Sequence, residues 1–262
     1  MEGKKSCHFI LVHGSCHGAW CWYKLIPLLK SAGHRVTALD LEASGIHPKR
    51  ATDIRTLAQY ANPLLEALAS VNGDERLILV GHSYGGFSVA LGMEKFTEKV
   101  AVAVFVAAFM PDYFSPVSCL TTKHRESFPT EALSDIQFTY DSGEENRPTS
   151  LLFGHKILSA SLYQNCSPED LTLATMLVRP TPTALEDVSE ENLLTKERYG
   201  SVHRAYVICT DDKILKEDFQ RWMVGNYPPK EIKVIEGSDH MPMFCKPEEL
   251  CHCLLEIANT CS

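Results

Sequence analysis

The sequence predicts an α/β protein built on a mostly parallel sheet flanked by helices, with a cap inserted into it. Three observations lead there. Short, near-continuous apolar runs rich in Val, Ile and Leu recur along the chain, helical patterns separate them, and the alternation stops after residue 112 and resumes near residue 188. Strands that are apolar on both faces belong in a parallel sheet covered by helices on both sides.

Taken in order, "HFILVH" (8–13) reads as the first buried strand, and residues 18–33 as a helix closed by Gly33. "RVTALD" (35–40) is the next strand, and a helical stretch follows from Ile54 to Ser70. "RLILVG" (76–81) is a third strand with a helix opening near Tyr84, and a fourth strand covers 101–107. From Tyr113 to Asp187 the chain is punctuated by Pro and Ser, with a polar tract at 140–150 and a helix at 167–178 that opens on a capping signal. This segment reads as an insertion rather than as sheet. Strands at 203–210 and 231–236, a helix around 216–225 and a last helix over Pro247–Ala258 complete the pattern. The expected division is therefore a core of residues 1–112 and 188–262 with a cap of residues 113–187.

Composition narrows the function classes. With 262 residues and 45% hydrophobic content, the chain can bury a large core as one domain. A formal charge of -8 without any Lys/Arg block argues against nucleic acid or an anionic membrane as partner, and a small molecule fits better. No window approaches the roughly 18 to 20 apolar residues of a membrane span, and the first residues lack a secretory signal pattern, so the expected compartment is the cytosol. The ten cysteines are read as reduced, since several sit in apolar or helical patterns. "CHC" at 251–253 has no second ligand pair at zinc spacing, so no metal is expected.

The chemistry gathers on "LVGHSYGGF", where Ser83 stands in a G-x-S-x-G motif. Composition alone can produce such a motif, so its context must carry it. Here it follows a strand and precedes a helix, as a nucleophile elbow requires, with Gly81, Gly85 and Gly86 leaving room for the turn. A serine hydroxyl needs a base, normally a His steered by a carboxylate. His240 follows the strand at 231–236, and Asp211 and Asp212 both follow the strand at 203–210. Parallel sheets bind ligands beyond the carboxyl ends of their strands, which places Ser83, an Asp of this pair and His240 on one edge. His82 is expected to point away from the nucleophile, Asp239 to be structural, and His13 and His17 to shape the first loop. Two backbone N–H groups must hold the oxyanion: that of Tyr84, and that of Ser15, with Gly14 allowing close approach.

The segments "HFILVHGSCHGAWCWYKLIPLL", "VTALDLEASGI", "LVGHSYGG", "CSPEDLTLATMLVRP", "ERYGSVHRAYVICTDDK", "FQRWM" and "IEGSDHMPMFCKPEEL" resemble the plant methylesterase and hydroxynitrile lyase group over nearly the whole chain. That resemblance implies an α/β-hydrolase fold, a serine carboxylesterase acting on methyl esters of small hydrophobic acids without metal or organic cofactor, and a homodimer. It selects Asp212 over Asp211, giving the catalytic set Ser83, Asp212 and His240. The lyases of the group carry Thr at Gly14, Lys at Met241 and "GESCGG" in place of "GHSYGG", so the esterase branch is expected; a lyase and a slow-hydrolysing ligand receptor are the alternatives. Gly14, Phe109, Leu133, Phe138, Phe153, Leu158 and Met241 are expected to line the substrate pocket. Salicylate-selective relatives carry a Trp near Leu133, which implies a different pocket shape here.

Overall fold

The computed structural model describes residues 6–71, 75, 77–127, 135–141, 143, 147–183, 185–189 and 193–260. Along the chain, β1 (His8–Val12), α1 (Leu25–Ser31), β2 (Arg35–Leu39), α2 (Leu57–Tyr60), α3 (Asn62–Ser70), β3 (Leu77–His82), α4 (Gly85–Lys95) and β4 (Val100–Val106) come first. Then follow α5 (Ser118–Ser127), β5 (Ile136–Thr139), β6 (Ser150–Phe153), α6 (His155–Ile157), α7 (Pro168–Leu177) and β7 (Thr181–Pro182). The last part contributes β8 (Arg204–Cys209), α8 (Glu217–Asn226), β9 (Glu231–Ile235), α9 (Pro242–Cys245) and α10 (Pro247–Thr260).

Six strands form one sheet in the order β2-β1-β3-β4-β8-β9, and every neighbouring pair is parallel. The four inner strands are buried at every residue, as their uninterrupted apolar sequences require, while β2 and β9 alternate or are half-exposed at the edges. The chain runs outward from β1 to β2 and then returns past β1 to β3, so its direction of winding reverses between β1 and β3. In open parallel sheets that reversal leaves a crevice at the carboxyl ends of the strands. The loops after β1, β3, β8 and β9 all open on that edge.

The helices show where pattern reading is blunt. Residues 18–33 read as one helix, but only Leu25–Ser31 is α-helical, behind a 3₁₀ turn at Ala19–Trp22. The side chain of Asp40 accepts the Ala19 N–H at 2.6 Å and anchors that turn to the end of β2. Gly33 does end α1: it has φ 91°, its N–H bonds the Lys30 carbonyl and the His34 N–H bonds that of Leu29, a Schellman closure. The stretch 54–70 is likewise two helices. Thr56 and Gln59 cap α2 reciprocally, and Pro63, which has no N–H to continue the ladder, sits in the first turn of α3.

One expectation is overturned. The segment between β4 and β8 was expected to carry no sheet, yet β5, β6 and β7 form an antiparallel three-stranded sheet. Two of these strands have four residues and the third has two, too short for a two-residue alternation to stand out, and Pro148 and Pro182 break the pattern further. Among the described residues, no helix is long and apolar enough to cross a membrane.

Candidate active site

Where β3 passes into α4, Ser83 adopts φ 53°, a left-handed conformation that a non-glycine residue takes only under constraint. The constraint is visible in its bonds. The Ser83 N–H reaches the Val106 carbonyl at 3.4 Å, and the Ser83 carbonyl accepts from Gly86 and Phe109 N–H groups, both at 3.1 Å. The flanking glycines are needed for closeness. A Cβ on Gly81 would lie 2.8 Å from the Val89 side chain, one on Gly85 would press on the carbonyl oxygens of Val12 and His13, and one on Gly86 would press on that of Phe109. Backbone carbonyls cannot swing aside. Gly86→Ala should therefore cost about 1–3 kcal/mol or more through overpacking, read as a lower urea midpoint with an unchanged m-value.

Ser83 Oγ lies 3.0 Å from His240 Nε2, and His240 Nδ1 lies 2.7 Å from Asp212 Oδ2. Three loops after β3, β8 and β9 thus bring one hydroxyl, one imidazole and one carboxylate into line. Asp212 is fixed on its other side, where Oδ1 accepts the Ile214 N–H at 2.7 Å and the Leu215 N–H at 2.9 Å. A carboxylate facing Nδ1 holds the proton there, which leaves the Nε2 lone pair directed at the Ser83 hydroxyl. Ser83, His240 and Asp212 are all buried, so charge separated between them is poorly screened by water.

The rival residues lie elsewhere. Asp211 is exposed and takes the Asn165 side-chain amide. His82 packs its ring 4.7 Å from that of His240 and bonds the His240 carbonyl through Nε2 at 2.7 Å, so it holds the loop that carries His240. Burial, then the nearby His240, pull the His82 pKa well below the usual histidine value. Asp239 accepts the N–H groups of Met241 and Asn165, each at 2.9 Å. Gln220 escaped the sequence reading: fully buried, it bonds both backbone groups of Cys209 and the Leu215 carbonyl, and its amide nitrogen stands 3.4 Å from Asp212 Oδ2. Its signal was a glutamine among Phe219, Met223 and Val224 on the apolar face of α8.

Gly14 and Ser15 follow β1, and a Cβ on Gly14 would come 2.8 Å from Ser83 Cβ, so only glycine lets this backbone approach the serine. Among the described residues, the N–H groups of Ser15 and Tyr84 donate to no protein acceptor. The loop itself is held firmly. His13 Nδ1 bonds the Gly14 carbonyl at 2.8 Å, while its Nε2 accepts the Leu41 N–H at 3.1 Å. His17 Nδ1 bonds the Ser15 carbonyl at 2.7 Å, while its Nε2 accepts the Tyr163 hydroxyl at 2.6 Å; burial pulls its pKa down to about 3. From β7, Thr181 Oγ1 accepts the Cys16 N–H at 2.6 Å, and Arg179 donates its N–H to the Cys16 carbonyl. Tyr163 and Thr181 were not foreseen, because they meet this loop only through the tertiary fold.

Of the expected pocket residues, Met241 and Leu158 are buried, and Phe109 is buried with its ring stacked 5.0 Å from Phe87 and edge-on to Tyr84, His124 and Phe219. Phe153 packs partly against the core, whereas Phe138, across from Leu151, is 39% exposed. Leu133 lies outside the described residues. In "CHC", Cys251 and Cys253 are buried on α10 while His252 faces outward to Glu256, so the three do not converge.

A family model described as the alpha/beta hydrolase family matches residues 9–252. The chain is 50% identical over 262 residues to methyl jasmonate esterase 1 of Vitis vinifera, covering 99% of each protein. It is 50% identical to salicylic acid-binding protein 2 of Nicotiana tabacum over 258 residues, 98% of each. The crystal structure of polyneuridine aldehyde esterase superposes with a TM-score of 0.93 at 45% identity, covering 97% of this chain and 100% of that one.

Proposed function

This chain belongs to the alpha/beta hydrolase family, and we propose that it is a serine carboxylesterase that cleaves methyl esters of small hydrophobic plant acids. The observation that carries this reading is the buried hydrogen-bonded line from Ser83 Oγ through His240 to Asp212. His240 Nε2 takes the serine proton as Oγ attacks the ester carbonyl, and Asp212 stabilises the resulting imidazolium through Nδ1. The tetrahedral oxyanion is received by the unoccupied N–H groups of Ser15 and Tyr84, each worth about 3 kcal/mol in comparable sites. His240 then protonates departing methoxide, and a water deprotonated by the same imidazole releases the acid from Ser83. No step calls on a metal or an organic cofactor.

Met241 supports ester cleavage over cyanohydrin cleavage. It is fully buried beside His240 and supplies an apolar wall where a lyase would use an ammonium to stabilise departing cyanide. The cap, which we assign to residues 113–187, supplies Tyr163 and Thr181 to the oxyanion loop and so ties substrate entry to the geometry of the reaction. Free thiols at all nine described cysteines fit a reducing compartment, and we place the enzyme in the cytosol.

A panel of methyl esters of salicylate, jasmonate, indole acetate and an alkaloid carboxylate tests this. The wild type should hydrolyse at least one with kcat/KM in the enzymatic range of about 10⁴ M⁻¹s⁻¹ or above, Ser83→Ala should hydrolyse none, and mandelonitrile should release no cyanide. Cyanide release at a rate matching ester hydrolysis would overturn the assignment, as would a wild type no faster than Ser83→Ala.

A further inference from the structure

Asp239 precedes the base His240, and its carboxylate gathers donors from two separate parts of the chain. Oδ1 accepts the Met241 N–H at 2.9 Å and the Cys245 thiol at 3.0 Å; Oδ2 accepts the Asn165 N–H at 2.9 Å and the Cys166 thiol at 3.3 Å. Cys245 ends α9, while Cys166 comes from the segment between α6 and α7, which also bonds Asp211 and Gly237 through Gln164 and Asn165. Two thiols from opposite sides thus converge on one carboxylate where the cap meets the His240 loop.

We propose that Cys166, Asp239 and Cys245 form a binding site for a thiophilic divalent cation such as Zn²⁺, clamping the cap to the loop of the catalytic histidine. One ligand atom from each residue lies within 4.8 Å of the other two. A tetrahedral zinc with sulfur ligands at about 2.3 Å sets its sulfurs about 3.8 Å apart, so the cluster needs only a small contraction. Charge also balances. Two neutral thiols and a carboxylate carry one negative charge; loss of both thiol protons and gain of a divalent cation leaves the same total, so the site is no more charged when filled. Both cysteines are partly exposed, which gives the ion a path in and leaves the fourth position to water. The set Cys, Cys, Asp matches a borderline-soft cation and suits neither Mg²⁺ nor Ca²⁺, which take oxygen ligands. A filled site draws Asp239 oxygens toward the cation in competition with the Met241 and Asn165 N–H groups. Loading therefore alters the support of His240 and slows ester cleavage, a consequence that rests on the esterase reading, whereas the binding itself does not.

The test is a titration of the reduced, chelator-treated protein with Cd²⁺, following thiolate-to-cadmium charge-transfer absorption, with stoichiometry from calorimetry and Zn²⁺ as competitor. The control is the double variant Cys166→Ser, Cys245→Ser, whose hydroxyls can still donate to Asp239; Cys119→Ser, at an exposed thiol, is the second. The wild type and Cys119→Ser should take up one cation per chain at this site with the absorption band, and the double variant should lose that band and one equivalent. Zn²⁺ should inhibit the wild-type esterase reversibly by chelator and spare the double variant. Binding that persists in the double variant would overturn the proposal, as would absence of the band, or a Cys166–Cys245 disulfide whose reduction restores no binding. Loss of the band without any change in Zn²⁺ inhibition would remove the link to His240 while keeping the site.

Discussion

Asp212→Asn should lower kcat by about 10⁴-fold while leaving KM for a methyl ester nearly unchanged, and the structure dictates why. Asp212 Oδ1 faces two backbone donors, Ile214 N–H at 2.7 Å and Leu215 N–H at 2.9 Å. An amide nitrogen placed there would oppose both. The asparagine oxygen must occupy that position, which turns its NH₂ toward His240 Nδ1, where Oδ2 now sits at 2.7 Å. Nδ1 then has to accept, the proton moves to Nε2, and the imidazole presents an N–H to Ser83 Oγ in place of a lone pair. The fold should survive, because every backbone donor keeps its acceptor. Asp211→Asn is the matched control: its carboxylate is exposed and bonded to the Asn165 side chain, so kcat should change little. Measured kcat, thermal midpoint and the pre-steady-state burst separate these outcomes, with Ser83→Ala as the zero of chemistry. A larger loss in Asp211→Asn than in Asp212→Asn would show that the wrong carboxylate has been placed in the mechanism.

That pair of aspartates also marks the limit of what was legible in the sequence. The strands of the main sheet announce themselves because burial on both faces demands unbroken apolar runs, and Ser83 and His240 stand out because each follows such a run. Asp211 and Asp212 are chemically identical neighbours. Residue type and position leave the two alike, so the resemblance alone selects Asp212; the physical reason is the turn after β8, which aims that side chain inward to accept two N–H groups and leaves Asp211 exposed. The supports of the loop after β1 were illegible for a related reason: Tyr163 and Thr181 lie 146 and 165 residues from the atoms they bond. Local periodicity carries no trace of contacts at that range. The small sheet between β4 and β8 was lost between these extremes, its strands too short for their alternation to rise above the surrounding prolines and serines.

Acidification should destabilise the fold steeply between about pH 6.5 and 5, before most carboxylates titrate. Burial pulls the pKa of His13, His17, His82 and His124 below that of a free imidazole, to about 3 for His17. In the unfolded chain all four titrate near 6.5. Their folded values are depressed, so the stability gained by keeping them neutral is fully present above that pH and is lost as the pH falls toward the folded values. Each group that stays neutral while its unfolded counterpart binds a proton adds a slope of up to about 1.4 kcal/mol per pH unit, so the loss accumulates over the buried set. His82→Gln keeps a donor for the His240 carbonyl and should flatten the slope by about one proton; urea unfolding from pH 7.5 down to 5 measures this, and an unchanged slope would refute the assignment. The arrangement has a functional logic. His17 and His82 lie close enough to His240 for their charges to oppose one another, so keeping both neutral removes a repulsion that would work against the imidazolium formed when Ser83 attacks. Esterase activity should therefore be lost together with the fold as the pH falls, and in His82→Gln that loss should move to lower pH with the stability curve.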